Sequence, residues 1–144
     1  MVYRCIRFSS SQKDLLESAL KIREEVFIIE QNVEPELEHD EHDKTACHYL
    51  LYHNNEAIAT GRWRKTHNGI KLERFAVLFK YRKKGAASYL LEYVLNDLAG
   101  EETSVYMHAQ DHALDFYQKR GFVISGDTFY EANILHYPMV LDRK

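Results

Sequence analysis

The sequence predicts a single α+β domain: a mixed, mostly antiparallel sheet with helices on both faces. Three observations carry that prediction. Apolar runs at Cys47–His53, Ala57–Lys65 and Ile70–Phe79 are joined by Asn54-Asn55-Glu56 and His67-Asn68-Gly69, turns that suit antiparallel neighbours. Two stripes with helical period, one from Leu15 to Ile29 and one from Ala87 to Leu98, each leave one apolar face to lie on a sheet. With 144 residues and no repeat, low-complexity tract or linker, one domain is expected over 1–144. A chain of this size buries roughly 68–70% of its unfolded surface without staples.

The elements follow in order. Val2, Arg4, Ile6 and Phe8 alternate with Tyr3, Cys5 and Arg7 in a first strand, which Ser9-Ser10-Ser11, N-cap candidates, bring to an end. Leu15, Ala19, Ile22, Val26 and Ile29 mark a helix running to about Gln31. Asn32 to Ala46, which holds Pro35, reads as a loop. After the three hairpin-linked strands, Ala87, Leu90, Leu91, Val94, Leu95 and Leu98 form the stripe of a second long helix. A strand at Ser104–Gln110, a helix at Asp111–Arg120 and strands at Phe122–Ser125 and His136–Leu141 complete the domain. Gly121, behind Lys119 and Arg120, is a good C-terminal helix cap with cations at the negative end of the dipole.

Composition narrows the function. With 19 basic against 22 acidic residues, net charge −3, the chain lacks the basic surplus of a nucleic-acid binder. Charge is segregated instead: Glu30 to Asp43 holds seven acids and no Lys or Arg, whereas Lys80 to Lys84 is basic. Two cysteines, Cys5 and Cys47, both in strand-like runs, fit a reduced, cytoplasmic protein. No stretch approaches 18 apolar residues and the N-terminus has no apolar leader, so neither a membrane span nor export is expected. His39-Asp40-Glu41-His42-Asp43 mixes imidazole and carboxylate ligands, but the spacing matches no established site and no metal is expected.

The strongest chemical signal is Arg82-Lys83-Lys84-Gly85-Ala86-Ala87, between an apolar strand and an amphipathic helix. Glycine lets the backbone approach a diphosphate, the first helical turn offers unpaired N–H groups, and Lys80, Arg82, Lys83 and Lys84 add positive field. The spacing Arg-x-x-Gly-x-Ala resembles the pyrophosphate-arm signature of the GNAT N-acetyltransferase superfamily. Ala113-Leu114-Asp115-Phe116-Tyr117-Gln118-Lys119-Arg120-Gly121-Phe122 also resembles that family's last helix, with its Phe-Tyr pair and basic-Gly-Phe end. Met107-His108-Ala109-Gln110, Arg23-Glu24-Glu25-Val26-Phe27 and Glu30-Gln31 resemble the ElaA/YjcF-like branch. The resemblance runs from about Ile22 to Met139 and implies the GNAT (acyl-CoA N-acyltransferase) fold.

It also implies a reaction: direct transfer of acetyl from acetyl-CoA to a primary amine of a small molecule or peptide, with no metal and no nucleic-acid partner, and it allows a homodimer. Such a transfer needs an uncharged amine in line with the thioester, an oxyanion donor and a proton for the departing thiolate. By resemblance, Phe75, Ala76 and Val77 flank the pantetheine arm, with the Val77 amide as oxyanion donor. Arg82, Lys83, Lys84, Gly85, Ala86 and Ala87 hold the pyrophosphate, and Phe116 and Tyr117 close the site. Ala87 stands where many relatives have glycine, so its methyl group is expected to crowd one amide of the turn. Tyr117 is the candidate general acid, the alternative being packing beside Phe116. Glu73 is the candidate base, the alternative being a pair with Arg62 or Arg64; His136 is a second candidate, with His108 and His112 weaker. Glu30 and Gln31 are expected on the acceptor side, and Asp40 and Asp43 to draw a cationic acceptor. Two other functions are open on sequence alone: a non-catalytic acyl-CoA-binding regulatory module, and acyl-homoserine-lactone synthesis.

Overall fold

A computed structural model describes residues 2–143. Strand β1 (Tyr3–Phe8) leads into α1 (Lys13–Arg23), which widens into a π-helical stretch over Glu24–Glu30. The expected loop after it holds a short helix, α2 (Pro35–Glu38), started by proline at its first turn, and a 3-10 turn at Glu41–Lys44. Then come β2 (Cys47–His53), β3 (Glu56–Thr66), β4 (Gly69–Val77), α3 (Ala86–Asp97), β5 (Val105–Gln110), α4 (Leu114–Gln118), β6 (Phe122–Ile124), β7 (Phe129–Glu131) and β8 (Ile134–Leu141). Strand β7 is absent from the sequence reading. It has three residues, Tyr130 is 74% exposed, and its turn into β8 uses Ala132 and Asn133 at φ 51° and 62°. Alanine is a poor marker for that left-handed turn.

One sheet runs β1-β2-β3-β4-β5-β8-β6, with β7 also on β8; only β4 and β5 pair in parallel. Strand alternation divides its core between two faces. Tyr49 and Leu51 pack with Leu90, Leu91, Val94 and Leu98 of α3. Leu50, between them, packs on the other face with Ala19, Ile22, Val26 and Phe27. These are the stripes expected from the sequence, except that Ile29 is 65% exposed and Phe27 is buried in its place, where the π-helical stretch changes the helical phase.

Two irregularities position the site. Pairing of β4 with β5 covers only Ile70, Lys71 and Leu72 against Val105, Tyr106 and Met107, after which the strands part. On its other edge β4 bulges: Arg62 pairs with Glu73, but Thr60 pairs with Ala76, so one extra residue sits opposite Gly61. Arg74 takes up the bulge at φ 58°. A Cβ on Gly61 would come within 2.9 Å of the Phe75 ring, so glycine here is what lets that ring lie across β3.

Candidate active site

Where β4 and β5 part, a cavity of about 750 Å³ opens, floored by the two strands and walled by the π-helical stretch, the start of α3, α4 and the β7–β8 hairpin. Its volume is in the range of small-molecule sites. Phe75, Ala76, Val77, Arg82, Lys83, Gly85, Ala86, Ala87, Phe116, Tyr117, Glu73, Gln31 and His136 all line it. Simple alternation would have put Glu73, Phe75 and Val77 on one side and Arg74 on the other; the bulge breaks that phase, and Arg74 lines the cavity too.

At one end lies the basic turn. Lys83 and Gly85 both have positive φ, 62° and 84°, and Gly85 is the N-cap of α3. The first helical hydrogen bond is Tyr89 N–H to Gly85 O, so the amides of Ala86, Ala87 and Ser88 have no partner within the helix. A Cβ built on Gly85 would meet nothing within 4 Å. Open space before free amides at the positive end of a twelve-residue helix fits a diphosphate. Lys84 departs from expectation: its Nζ turns back to Lys80 O at 3.3 Å and its side chain does not line the cavity. Arg82 is anchored by Nε–H to Val77 O at 2.9 Å.

The cavity is also lined by Val77, Tyr117 and His136, the residues the sequence resemblance singles out for acyl transfer. Leu78 N–H donates to Ile58 O on β3, so the preceding Val77 amide faces away from β3, toward the parting with β5. Tyr117 sits edge-on to Phe116 and Phe122, with centroids at 5.1 and 5.8 Å. Burial pushes its phenol up to about 12, which keeps the proton on. His136, 7% exposed, has Nδ1 at 2.7 Å from Ile134 O. A carbonyl only accepts, so Nδ1 carries the hydrogen and Nε2 is left to accept. Phe129 stacks on its ring at 17°. His108 also lines the cavity, its pKa lowered by burial and then by Lys71.

Three expectations from sequence are corrected. Glu73 is engaged by Arg62, Arg64 and Lys71 at 2.9, 2.8 and 3.2 Å. Burial would raise its pKa, but the Arg64 hydrogen bond and the surrounding cations outweigh that and hold it at about 2, too acidic for a base at neutral pH. Asp40 and Asp43 do not face an acceptor. Asp40 accepts from Arg62 and Arg74, and Asp43 from Arg23 and Arg62, at 2.6–3.1 Å. Glu38, Asp40 and Asp43 of the acidic segment are therefore counter-charges to Arg23 and Arg62, each only 1% exposed. The physical reason is that guanidinium groups this deep need carboxylate partners.

Several residues escaped the sequence reading. Arg74, Glu38, Lys71, Gln110 and Arg120 line the cavity. Gln31 and Gln110 exchange reciprocal amide hydrogen bonds at 3.1 and 3.0 Å, tying the end of the π-helical stretch to the end of β5. Both cysteines have raised pKa values, Cys5 pushed to about 12 by burial and then Asp97, which leaves neither as a thiolate. Among the described residues no helix is long and apolar enough to cross a membrane.

Comparison with known proteins agrees with this geometry. A family model described as an acetyltransferase (GNAT) domain matches residues 9–143. Bacillus subtilis YyaT, an uncharacterized protein, is 41% identical over 139 residues, 93% of each chain. The uncharacterized N-acetyltransferase YjcF of Bacillus subtilis is 34% identical over 135 residues, 92% of this chain and 96% of its own. The crystal structure of Escherichia coli ElaA superposes with a TM-score of 0.88 at 25% identity, over 98% of this chain and all of that one. The parted strands, the glycine turn and these matches agree on one lineage: the chain belongs to the GNAT family of acetyltransferases, in its ElaA/YjcF-like branch.

Proposed function

We propose that the chain transfers an acetyl group from acetyl-CoA directly to a primary amine. The observation that carries this is the single cavity in which the Gly85 turn, the Val77 amide, Tyr117 and His136 meet. Acetyl-CoA supplies the activated acyl group as a thioester. The free amides of Ala86, Ala87 and Ser88, with Arg82 and Lys83, hold its diphosphate, and Phe75, Ala76 and Phe116 flank the arm. The Val77 N–H donates to the carbonyl oxygen as it gains charge. His136 Nε2 takes a proton from the acceptor ammonium or from the attacking amine, directly or through water. Tyr117 O–H gives its proton to the departing sulfur and is a competent donor because burial keeps it protonated.

Gln31, held by Gln110, lines the cavity and is assigned to the acceptor side; Glu30, expected there from sequence, does not line the cavity and is instead paired with Arg82. The test is release of free CoA from acetyl-CoA with a panel of primary amines, compared with Tyr117→Phe. Amine-dependent thiol release that collapses in the variant supports the reading. Acetyl-CoA binding without thiol release on any amine would make the chain a binding module.

A further inference from the structure

Resting on the transferase reading, we infer that the acceptor is a free amino acid with an apolar side chain, whose carboxylate is received by Arg74. The argument begins with charge. Arg23, Arg62, Arg64, Lys71 and Arg74 interlock with Glu38, Asp40, Asp43 and Glu73 in one largely buried network, five cations to four carboxylates. His39 adds no negative charge; its Nδ1 lies 3.4 Å from Glu38 Oε2. The surplus is therefore positive, and it faces the cavity through Arg74.

Two buried atoms of the network lack a hydrogen bond among the described residues, Glu38 Oε2 and Arg74 Nε, and Arg74 is the cation among them that lines the cavity. Its Nη2 donates to Leu37 O, Glu38 O and Asp40 Oδ2, but its buried Nε–H makes no hydrogen bond, and Glu38 Oε1 stays 3.7 Å away. A shielded donor without an acceptor is costly, and native structures retain few of them. Burial, then repulsion from Arg62, lowers the Arg74 pKa, the direction expected of a cation short of counter-charge. A ligand carboxylate in the cavity supplies the missing charge; since Nε is shielded, it meets the guanidinium at Nη1, which forms no hydrogen bond among the described residues.

The walls define the rest of the molecule. Val26, Phe27, Val33 and Leu37 line the cavity beside Arg74, an apolar surface for a hydrocarbon side chain. Glu131, on the β7–β8 hairpin, also lines it and forms no ion pair among the described residues, which provides attraction for the ammonium end. A simple cation would gain from Glu131 but meet the surplus guanidinium.

The deciding comparison is leucine against isopentylamine, the same amine without the carboxylate, by kcat/KM for CoA release. Leucine is expected to be favoured about 100-fold, as for a buried charge-assisted pair. In Arg74→Gln the two should fall within about 3-fold, and Arg74→Lys should restore part of the preference. Calorimetric titration of N-acetyl-leucine and N-isopentylacetamide into the CoA-loaded protein reads the same preference without turnover, so it separates this inference from the transferase reading. Arg74-dependent binding of N-acetyl-leucine alone supports the inference even if no amine is acetylated. Should Arg74→Gln not fold, the wild-type comparison decides. Equal use of leucine and isopentylamine, or a preference that Arg74→Gln leaves intact, overturns the assignment.

Discussion

Arg82 grips Glu30 with both terminal nitrogens, at 2.9 and 2.8 Å, so the basic turn before α3 is tied directly to the end of the π-helical stretch. The guanidinium that the sequence assigns to a diphosphate is thus shared with a carboxylate that does not line the cavity. The pair is about one-third exposed on each side, and such pairs contribute little stability. Glu30→Gln is expected to change unfolding free energy by under about 1 kcal/mol. It should tighten CoA binding several-fold, because Arg82 no longer has a competing anion. Calorimetric titration of CoA into both proteins checks this; weaker binding in the variant would mean that Glu30 presents Arg82 to the cofactor rather than competing for it.

Gly85→Val places a β-branched side chain at φ 84°, with its Cβ in the open space before the α3 amides. The backbone strain should cost about 1–3 kcal/mol. Affinity for CoA should fall by more than about 10-fold if those amides hold the diphosphate. A thermal melt with and without acetyl-CoA reads both effects, and an undiminished ligand-induced rise in Tm would move the diphosphate elsewhere.

Tyr117→Phe removes one oxygen that has no hydrogen bond among the described residues, so stability should change by no more than about 0.5 kcal/mol. Turnover should fall about 10²- to 10⁴-fold with little change in acetyl-CoA affinity. Because the phenol is pushed up to about 12, the wild-type rate should not decline from Tyr117 ionisation below about pH 11. Survival of full turnover in the variant would leave Tyr117 as a packing residue beside Phe116.

Asp43→Asn takes a carboxylate from two buried guanidinium groups, Arg23 and Arg62. Breaking one partner out of a buried pair costs about 3–5 kcal/mol, so urea denaturation should show a loss of roughly that size. The variant should have little effect on how the enzyme's KM for an amine responds to salt, since Asp43 does not line the cavity.

Acid should unfold the protein through Glu73. Its folded pKa of about 2 lies below the ordinary 4.5. The folded state therefore binds this proton later than the unfolded chain does, and the contribution is complete above about pH 4.5. As pH falls from there toward 2 it is lost, to a total of about 3 kcal/mol at about 1.4 kcal/mol per pH unit between the two values. Glu73→Gln should make that part of the stability curve shallower, measured by denaturant titration at stepped pH. The remaining slope is due to Asp40 and Asp43, whose pKa values, despite burial, are also lowered by their guanidinium partners.

The sequence by itself determined the fold class, the element order apart from β7 and the short turns near α2, and the glycine turn before α3. Those features are local. Alternation in Tyr49-Leu50-Leu51, the helical stripe from Ala87 to Leu98 and glycine at a strand-to-helix junction are all read within a few residues. What only the tertiary structure decided depends on partners far apart in the chain. Asp40 and Asp43 look like a lure for a cationic acceptor until Arg23 and Arg62 are brought beneath them, 19 to 22 residues away in sequence. Glu73 looks like a base until Arg64 and Lys71 close on it. Arg74 looks turned away from the cavity until the bulge opposite Gly61 shifts the strand's phase and turns it inward. Charge is the least local property of a residue: whether a carboxylate is a base, a lure for substrate or a counter-ion depends on which cations folding buries beside it.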